Sequence, residues 1–408
     1  MPKHDRKLGL WLIGAAGNVA ATAAVGVAAL TRRLVPPLGL ITESKGFPRL
    51  PLVPISRIVL GGHEISGRTI YQTAEELFKQ SGLFGEELLR KVKPVLGSWQ
   101  RNLRPGTTLG CDARIQRLAR GRSARRTGSG RAVIRALRKD LRMFTRRHRL
   151  DRVVVVNVAS TEGPWRLGKV HRSWAGLEKS LGKAGRPPLP ASSLYALAAI
   201  EEGMPFINFT PSTGANVPAI RELAEASGTA IMGADGKTGE TLLKSVIAPL
   251  FRHRHLEVLS WSGHNILGNR DGWVLQRNSN KSAKLLAKDG VLASILGYQP
   301  EAKTSIEYLA GLHDWKTAWD HIAFRGFLGV KMRLQFIWEG CDSILAAPLV
   351  IDLARLADLF AHEGGKGVMR HLACFFKAPM DVKEAALSAQ VSMLKQHLAE
   401  RYPKRRRM

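Results

Sequence analysis

The chain has 408 residues, of which 45% are hydrophobic and 23% are charged, and this composition excludes an intrinsically disordered protein. The length is sufficient for two domains that each have a core. The three cysteines, Cys111, Cys341 and Cys374, show neither metal-ligand spacing nor a disulfide pattern. We therefore expect a cytoplasmic protein without a zinc module.

The formal net charge is +29, and much of it is local. Residues 101–150 contain sixteen Lys and Arg but two Asp, and residues 404–407 are all basic. Such surfaces attract polyanions by counterion release, so weak nonspecific nucleic-acid binding is expected. The sequence has no zinc-finger spacing, aromatic RNA-binding signature or basic region joined to heptads, so we predict no specific nucleic-acid partner. A solvated basic surface and a functional polyanion surface both remain open.

The uncharged run 8–30 follows a basic start, as a signal peptide or a membrane span would. Its Ala, Gly and Val content instead predicts a strand at 8–13, a glycine turn at 14–17 and a small-residue helix packed on a sheet. We therefore predict a soluble chain without a membrane span. The turn is a variant of the dinucleotide-binding fingerprint, in which backbone amides approach a pyrophosphate, although a purely structural turn is the alternative. The residues assigned to the cofactor are Gly14, Ala15, Ala16, Gly17, Asn18 and Val19.

A second strand is predicted at 58–65, and Glu64 lies near its end. Its carboxylate is a candidate acceptor for an adenosine ribose, and a surface Glu after a turn is the alternative. The separation from Gly14 exceeds the usual spacing of about 20 residues, so an insertion is expected between them. Residues 101–149, which include Pro105 and a basic helix near 132–146, are interpreted as a basic insertion or a surface helical excursion.

The run 152–158 is almost entirely β-branched, which is typical of a parallel strand covered on both faces. Ser160 and Thr161 follow it, at the strand end where open α/β sheets bind ligands. Further elements alternate between helix and strand: a helix at 192–202, a strand at 205–209, a helix at 220–227 and a strand at 230–232. This alternation predicts an α/β fold with a Rossmann-like doubly wound sheet.

The most informative stretch is GADGKTGETLLKS at 233–245. A glycine, an acid and a lysine lead into small hydroxyl residues at a predicted helix start, which forms a backbone cradle for a phosphate. An ordinary capped helix start is the alternative. Residues 260–275 then form a stretch rich in Asn, Gly and Asp, whose polar groups have no evident packing role. Together the two stretches predict a site for a phosphorylated small molecule.

These motifs, in this order, resemble those of the myo-inositol-1-phosphate synthase family, also called inositol-3-phosphate synthases. The resemblance covers nearly the whole chain. The matching motifs are GGHEI for GGWDI, FINFTPST for a similar strand and SPQNT loop, GADGKTGETLLKS for GDDLKSGQTKLKS, GHNILGNRDG for YNHLGNNDG, CDSILAAPLVIDL for EDSLLATPLIIDL, and FFKAP for WLKAP. The chain departs from the family at Ala234, Glu240 and Arg270, and His63-Glu64 replaces Trp-Asp.

The resemblance implies that bound NAD oxidises C5 of glucose 6-phosphate, that C6 then loses a proton, and that the enolate closes onto the C1 aldehyde. NADH then reduces C5, and the product is an inositol monophosphate. Negative charge develops on the C5 oxygen and then on the C1 oxygen, so nearby ammonium groups would stabilise both. Lysine suits this role because desolvation and neighbouring cations bring its pKa toward neutrality.

The family's functional residues are carried over by position. Lys284 and Lys288 lie four residues apart, so they share one face if their segment is helical. The catalytic positions are Lys284, Lys288, Lys316, Lys377, Asp271 and Asp342. The phosphate positions are Lys237, Thr238, Gly239, Glu240, Thr241 and Lys288, and the substrate positions are Asn265, Leu267, Gly268, Asn269 and Arg270. Asp235 and Asp342 are expected to line the nicotinamide region.

We predict three segments. Residues 1–234 begin the NAD-binding domain and include the basic insertion at about 100–150; residues 235–342 form an inserted α+β catalytic and oligomerisation domain; residues 343–408 return to the first domain and end in a basic tail. The resemblance implies a homotetramer in which the open sheet of the inserted domain pairs across subunits, and the strand 331–338 would fit that role.

Some questions stay open at the level of sequence. Relatives in the family use a divalent metal, ammonium or potassium, and no His/Asp cluster decides between them here. One alternative is an NAD-dependent enzyme that acts on a different sugar phosphate, as Arg270 and Glu240 could signal. A second alternative is a polyanion-binding protein that keeps a degenerate synthase fold.

Overall fold

The computed structural model describes residues 6–120, 124–183, 185–268 and 290–402. The chain divides into two compact units. The first comprises Met1–Asp235 and Ala347–Met369, and the second comprises Gly236–Ala346 and Arg370–Met408. This division differs from the predicted one at the C-terminal end, because residues 370–408 group with the second unit rather than returning to the first.

The elements are numbered along the chain. The strands are β1 (Leu8–Ile13), β2 (Ile58–Glu64), β3 (Leu103–Thr107), β4 (Ala124–Arg125), β5 (Arg152–Asn157), β6 (Phe206–Asn208), β7 (Ala230–Gly233), β8 (Glu257–Leu267), β9 (Glu301–Tyr308), β10 (Trp315–Arg325), β11 (Lys331–Cys341) and β12 (Gly367–Val368). The helices used below are α1 (Asn18–Thr31), α2 (Ile70–Ser81), α3 (Glu86–Gln100), α4 (Ala113–Leu118), α5 (Gly130–His148), α6 (Trp174–Leu181), α7 (Ala191–Ile200), α8 (Pro218–Ala226), α9 (Glu240–His253), α10 (Asp342–His362) and α11 (Leu387–Arg401).

The first unit contains an eight-stranded sheet in the order β12-β7-β6-β5-β1-β2-β3-β4, and all neighbouring strands are parallel. β1 and the valine-rich stretch of β5 are buried on both faces, as a parallel sheet between helical layers requires. The strand order reverses between β1 and β5, which creates the crevice where doubly wound sheets bind ligands. The predicted Rossmann-like α/β fold is confirmed.

The basic segment 101–149 is an integral part of this sheet. β3 and β4 extend the sheet beyond β2, and α5 buries an apolar face that includes Ile134, Leu137 and Phe144. The interpretation as an insertion or a surface excursion is therefore wrong. The two strands are short, and β3 contains Pro105 and Gly106. Neither strand therefore has the apolar pattern from which a strand is predicted.

Some of the basic charge on α5 is paired. Arg138 contacts Glu201 at 2.7 Å and Glu202 at 2.5 Å, and Arg131 contacts Glu201 at 2.5 Å. Arg135, Lys139 and the arginines of the last turn remain on the exposed side of the helix. Part of the local charge excess thus fixes α5 against the end of α7 and does not depend on a polyanion.

The second unit contains a four-stranded sheet in the order β11-β10-β8-β9. β10 is antiparallel to β8 and β11, while β8 and β9 are parallel. One face of the sheet carries an apolar cluster that includes Phe251, Trp261 and Ile322. Residues of β10 alternate between this face and an exposed face, on which Trp315 and Trp319 lie. Within the described part of the chain, no helix is long and apolar enough to cross a membrane.

Candidate active site

The glycine turn that follows β1 is held close to the neighbouring strands. The amides of Gly14 and Ala15 donate to the carbonyl oxygen of His63 at 2.9 and 3.2 Å. Gly14 has a φ of +81°, and a Cβ added there would lie 2.8 Å from the Cα of Ala159. Glycine is therefore required at this position, both for its conformation and for the close backbone approach. Because α1 begins at Asn18, the turn presents the N-terminus of a helix.

Glu64 lies at the carboxyl end of β2, beside the glycine turn. Its Oε2 accepts a hydrogen bond from the amide of Ala16 at 2.7 Å, and its Oε1 accepts from the amides of Ile65 and Ser66 at 2.8 Å each. Adjacent parallel strands bring Glu64 and the turn together, although they are 48 residues apart in sequence. The placement agrees with the predicted ribose acceptor, and the ribose contact itself stays a prediction.

A pocket opens at the carboxyl ends of β1, β2 and β5, with an empty volume of about 410 Å³ that includes open solvent. Gly14 and Ser160 line it, together with residues that sequence reasoning did not select: Asn157, Glu162, Ser192, Tyr195 and Ser212. Oε1 of Glu162 accepts from the amide of Ser192 at 3.1 Å, and burial raises the pKa of Glu162. Asn157 ends β5, and Glu162 and Ser212 lie in the loops that follow β5 and β6; that position was the available signal, whereas Ser192 and Tyr195 lie in α7. A glycine cradle, a helix N-terminus and a mixed polar and apolar wall fit a dinucleotide.

His63, which replaces a family Trp, lines this pocket and is part of a buried polar cluster. Nε1 of Trp11 donates to Nδ1 of His63 at 2.9 Å, so Nε2 carries the proton and donates to Asp140 at 3.1 Å. Arg125 contacts the same Asp140 oxygen at 2.7 Å. Burial lowers the pKa of His63, which favours the neutral ring. The cluster joins β1, β2, β4 and α5, and so accommodates the change from Trp to His.

The predicted phosphate loop lies in the second unit, immediately before α9. α9 begins at Glu240, and Gly239 stands at its N-cap with a φ of +71°. A Cβ on Gly239 would lie 2.8 Å from Nζ of Lys316, so the absence of a side chain lets the ammonium approach the backbone. The first amides of a helix lack intrahelical acceptors and attract anions. In addition, the hydroxyl of Thr241 is buried and has no hydrogen-bond partner among the described residues.

Lys316 and Asp342 form an ion pair at this loop. The hydroxyl of Thr238 donates to Oδ1 of Asp342 at 3.3 Å, so loop, strand and helix meet at one carboxylate. Lys316 pairs with Gly340 across β10 and β11, and Nζ lies 5.6 Å from the centre of the Trp338 ring. The structure thus brings together two predicted catalytic residues and two predicted phosphate residues.

Asp314 fixes the start of α10 and was not selected from the sequence. Its Oδ2 accepts from the amide of Ser343 at 3.0 Å, from the Ser343 hydroxyl at 2.5 Å and from the thiol of Cys341 at 2.9 Å. Its carbonyl oxygen accepts from the amide of Asp342 at 3.1 Å. Asp314 therefore sets the orientation of Asp342, and its position two residues before Lys316 was the available signal.

Glu240, where the family has Gln, turns its carboxylate into the interior. Nζ of the fully buried Lys244 lies 2.7 Å from Oε1, and Nδ2 of Asn265 donates to Oε2 at 2.6 Å. Asn265 also donates to the carbonyl oxygen of Ser305 at 3.2 Å. The added negative charge is thus compensated by Lys244, and only the amide of Glu240 is left to contribute to the predicted phosphate cradle. The amide group of Asn265 is likewise used internally.

The other predicted residues have diverse locations. Lys377 is partly buried and follows Phe375 and Phe376, while Asp235 belongs to the first unit, where its amide donates to Thr210 at 3.1 Å. Leu267 ends β8, and Gly268 follows it. The amine of Lys237 bonds to Gln390. Five predicted residues lie outside the described residues: Asn269, Arg270, Asp271, Lys284 and Lys288.

Comparison with known proteins places these motifs in one family. A model of an NAD-binding family described as myo-inositol-1-phosphate synthase matches residues 8–399. The chain belongs to the myo-inositol-1-phosphate synthase family. An inositol-3-phosphate synthase from Bacteroides thetaiotaomicron is 33% identical and is covered over 95% of its length by 96% of this chain. The resemblance inferred from the motifs is confirmed, and NAD is the cofactor of the family.

More distant relatives agree. The inositol-3-phosphate synthase of Saccharomyces cerevisiae is 27% identical, with 86% of this chain and 73% of the relative covered. The crystal structure of an inositol-3-phosphate synthase from Caenorhabditis elegans superposes with a TM-score of 0.85 at 23% identity, and covers 96% of this chain and 85% of that one. The structural comparison with the Caenorhabditis elegans protein supports the synthase fold.

Within the described residues, no group of three or more His, Cys, Asp and Glu is arranged to hold a metal ion. What the described residues of the second unit do provide is an ammonium group, a carboxylate and a helix N-terminus within one cluster. A combination of this kind is suited to bind a phosphorylated anion and to stabilise developing negative charge.

Proposed function

We propose that this enzyme converts D-glucose 6-phosphate to 1D-myo-inositol 3-phosphate. The observation that carries the proposal is the cluster of Lys316, Asp342 and Thr238 at the backbone of Gly239. Family membership supports the same reaction. In this proposal, bound NAD accepts a hydride from C5 and later returns it, so there is no net redox change.

The phosphate is proposed to bind at the N-terminus of α9. The amides of Gly239, Glu240 and Thr241 point from the start of the helix, where the dipole favours negative charge. The hydroxyl of Thr241 is a further donor because it has no partner among the described residues. Thr238 is held by Asp342, which fixes the shape of the loop before the substrate arrives.

Lys316 is proposed to stabilise the oxyanions that form at C5 and C1. Asp342 orients its ammonium group, and Asp314 in turn orients Asp342. A preoriented cation in a partly buried setting stabilises developing charge more than one that must reorganise in water. Lys377, Lys284 and Lys288 are proposed to complete the set of lysines that stabilise charge and transfer protons. Asp271 is proposed as a further catalytic residue. The proposed substrate contacts are Asn265, Leu267, Gly268, Asn269 and Arg270.

In the first unit, the pocket around Gly14 is proposed to hold NAD. Ala15, Ala16, Gly17, Asn18 and Val19 would supply backbone groups at the helix start, and Glu64 would accept from the ribose. Ser160 lines the same pocket, next to Thr161. Asp235 and Asp342 are proposed to line the nicotinamide region.

We further propose a cytoplasmic homotetramer. The exposed face of the four-stranded sheet supports an assembly through this unit, since β11 is an edge strand and Ile337 on it is 70% exposed. Phe327 and Leu328, in the turn between β10 and β11, are 89% and 84% exposed. Apolar surface of this kind marks interaction sites. Light scattering of the purified protein would test the proposed stoichiometry.

The reaction is tested by a phosphorus and proton NMR time course with glucose 6-phosphate and NAD, run with and without magnesium and ammonium. We expect inositol monophosphate to appear without net accumulation of NADH. If NAD binds but no product forms under any condition, the reaction is wrong. Other sugar phosphates would then be tried, beginning with reversion of Glu240 to Gln and of Arg270 to Asn.

A further inference from the structure

The amine of Lys237 is built into the second unit in a way that a phosphate contact does not explain. Lys237 is 4% exposed, and its Nζ donates a hydrogen bond to Oε1 of Gln390, a fully buried residue of α11. Gln390 is fixed in turn, because its Nε2 donates to the carbonyl oxygen of Glu384 at 2.5 Å. Burial of an unpaired amine is costly, and the bond to Gln390 offsets that cost, so the amine already has a partner within the second unit.

The backbone at Lys237 is tied to the segment that leads to Lys377. The amide of Lys237 donates to the carbonyl oxygen of Phe375 at 2.8 Å, and Gly236 forms an antiparallel bridge with Phe376. On the other side, the hydroxyl of Thr238 reaches Asp342 at 3.3 Å. The phosphate loop is therefore attached both to the segment that precedes Lys377 and to the partner of Lys316.

We infer that Lys237 is a positioning residue, whose bond to Gln390 sets the phosphate loop relative to Lys377, and that its amine does not contact the substrate phosphate. The inference rests on the proposed function, from which the phosphate and the role of Lys377 both come. Without the bond, the loop loses its side-chain attachment to α11 and keeps its backbone bonds to Phe375 and Phe376. A displacement of about 1 Å at a reacting centre is sufficient to cost about 100-fold in rate.

Two variants remove the two ends of the bond and keep an unbranched side chain: Lys237→Met and Gln390→Met. Because both remove the same interaction, we expect each to lower kcat about tenfold and to raise KM about threefold, and the double variant to be no worse than either single one. Lys395→Met, at an exposed position of the same helix, is the matched control and should leave both constants unchanged. Independent, multiplicative losses in the double variant would contradict the inference.

Calorimetric titration with glucose 6-phosphate and with inorganic phosphate distinguishes positioning from direct contact. If the amine touches the phosphate, Lys237→Met weakens the binding of inorganic phosphate by about tenfold while Gln390→Met does not, and this result overturns the inference. Small and equal losses in both variants support it. Since titration requires no turnover, it still decides the matter if the wild-type enzyme fails to convert glucose 6-phosphate, an outcome that contradicts the proposed function alone.

A pH profile gives a readout that a loss of packing does not reproduce. Burial lowers the pKa of Lys237 to about 8, and the charge of the Glu384 carboxylate opposes this shift. The other titratable group beside Lys237, the thiol of Cys374, is neutral in this pH range because burial raises its pKa to about 12. We expect the plot of kcat/KM against pH for the wild-type enzyme to show a step near pH 8, where Lys237 loses its proton. The step should be absent from Lys237→Met and displaced in Gln390→Met. A Lys237→Met profile identical to that of the wild type would contradict the positioning role.

Discussion

The glycine turn of the first unit and the phosphate loop of the second unit both precede a helix, and they are held in different ways. The turn at Gly14 is fixed by backbone hydrogen bonds to His63 and by close approach to Ala159. The loop at Gly239 is fixed by side chains from distant elements, since Thr238 bonds to Asp342 and Lys237 bonds to Gln390. The Glu64 carboxylate also holds the turn, and the backbone bond from Lys237 to Phe375 also holds the loop, so the difference is one of degree. The turn depends most on glycine at one place, whereas the loop depends more on several side chains that substitution can remove singly.

The largest expected effect concerns the ammonium group of Lys316 at the phosphate loop. Lys316→Met removes the ammonium group that Asp342 orients, and we expect kcat/KM to fall about 10³-fold, as for the loss of a preoriented group that stabilises an oxyanion. The affinity for NAD should be unchanged. Steady-state kinetics and NAD titration check the two halves of this prediction. Lys303→Met, at an exposed position of β9 in the same sheet, is the control; a comparable loss there would mean that lysine removal disturbs the sheet in general.

The next effect concerns the buried ion pair behind the loop. Glu240→Gln restores the family residue but leaves the ammonium of Lys244 buried without its carboxylate. We expect the free energy of unfolding to fall by about 3 kcal/mol. Phosphate affinity should change less than about twofold, because the cradle uses only the amide of residue 240. Denaturant unfolding and phosphate titration provide the measurements, and Glu240→Gln/Lys244→Met should recover part of the lost stability. A large gain in phosphate affinity would show that the carboxylate acts on the site.

A smaller effect tests the backbone site. Gly14→Ala places a Cβ against the backbone of Ala159 at a positive φ, so we expect NAD to bind about 10- to 30-fold more weakly, which corresponds to about 2 kcal/mol. Calorimetry with NAD measures this directly. In Gly97→Ala, by contrast, the new Cβ on the exposed side of α3 meets nothing within 4 Å, and the change should stabilise the protein slightly. Unaltered NAD affinity in Gly14→Ala would place the cofactor elsewhere.

The smallest effect concerns the segment at Ile41 and Thr42 in the first unit. The backbone amides of both residues donate hydrogen bonds to Asp352. Oδ2 of Asp352 accepts from the amide of Ile41 at 2.6 Å, and burial raises the pKa of Asp352 from 3.8 to about 6. The folded state therefore favours the protonated acid. Its contribution to stability is fully present below pH 3.8 and is lost as the pH rises through about 6. Between pH 4 and 5 the wild-type protein should lose about 1 kcal/mol relative to Asp352→Asn, as measured by urea unfolding at each pH. Parallel pH curves for the two proteins would contradict this assignment.

The sequence by itself determined the elements whose pattern is local. β1, β5 and the glycine turn were predictable because a parallel strand covered on both faces is continuously apolar and because only glycine fits the turn. The family motifs likewise identified Lys316, Asp342 and Thr238 from their order along the chain. β3 was missed because its five residues include Pro and Gly, and β4 was missed because a strand of two residues carries too weak a pattern to predict.

Tertiary structure alone decided which side chains meet. No spacing indicates that Lys237 bonds to Gln390, 153 residues away. The i,i+4 spacing of Glu240 and Lys244 permits an ion pair on α9, but it does not indicate that the pair is buried and that Asn265 also binds the carboxylate. These partnerships depend on how β8, β9 and α11 pack around the loop, because a buried charge must find a partner wherever the fold supplies one. The sequence determined which residues the site requires, and the packing of the second unit decided which of them are available to bind a phosphate and which hold the loop in place.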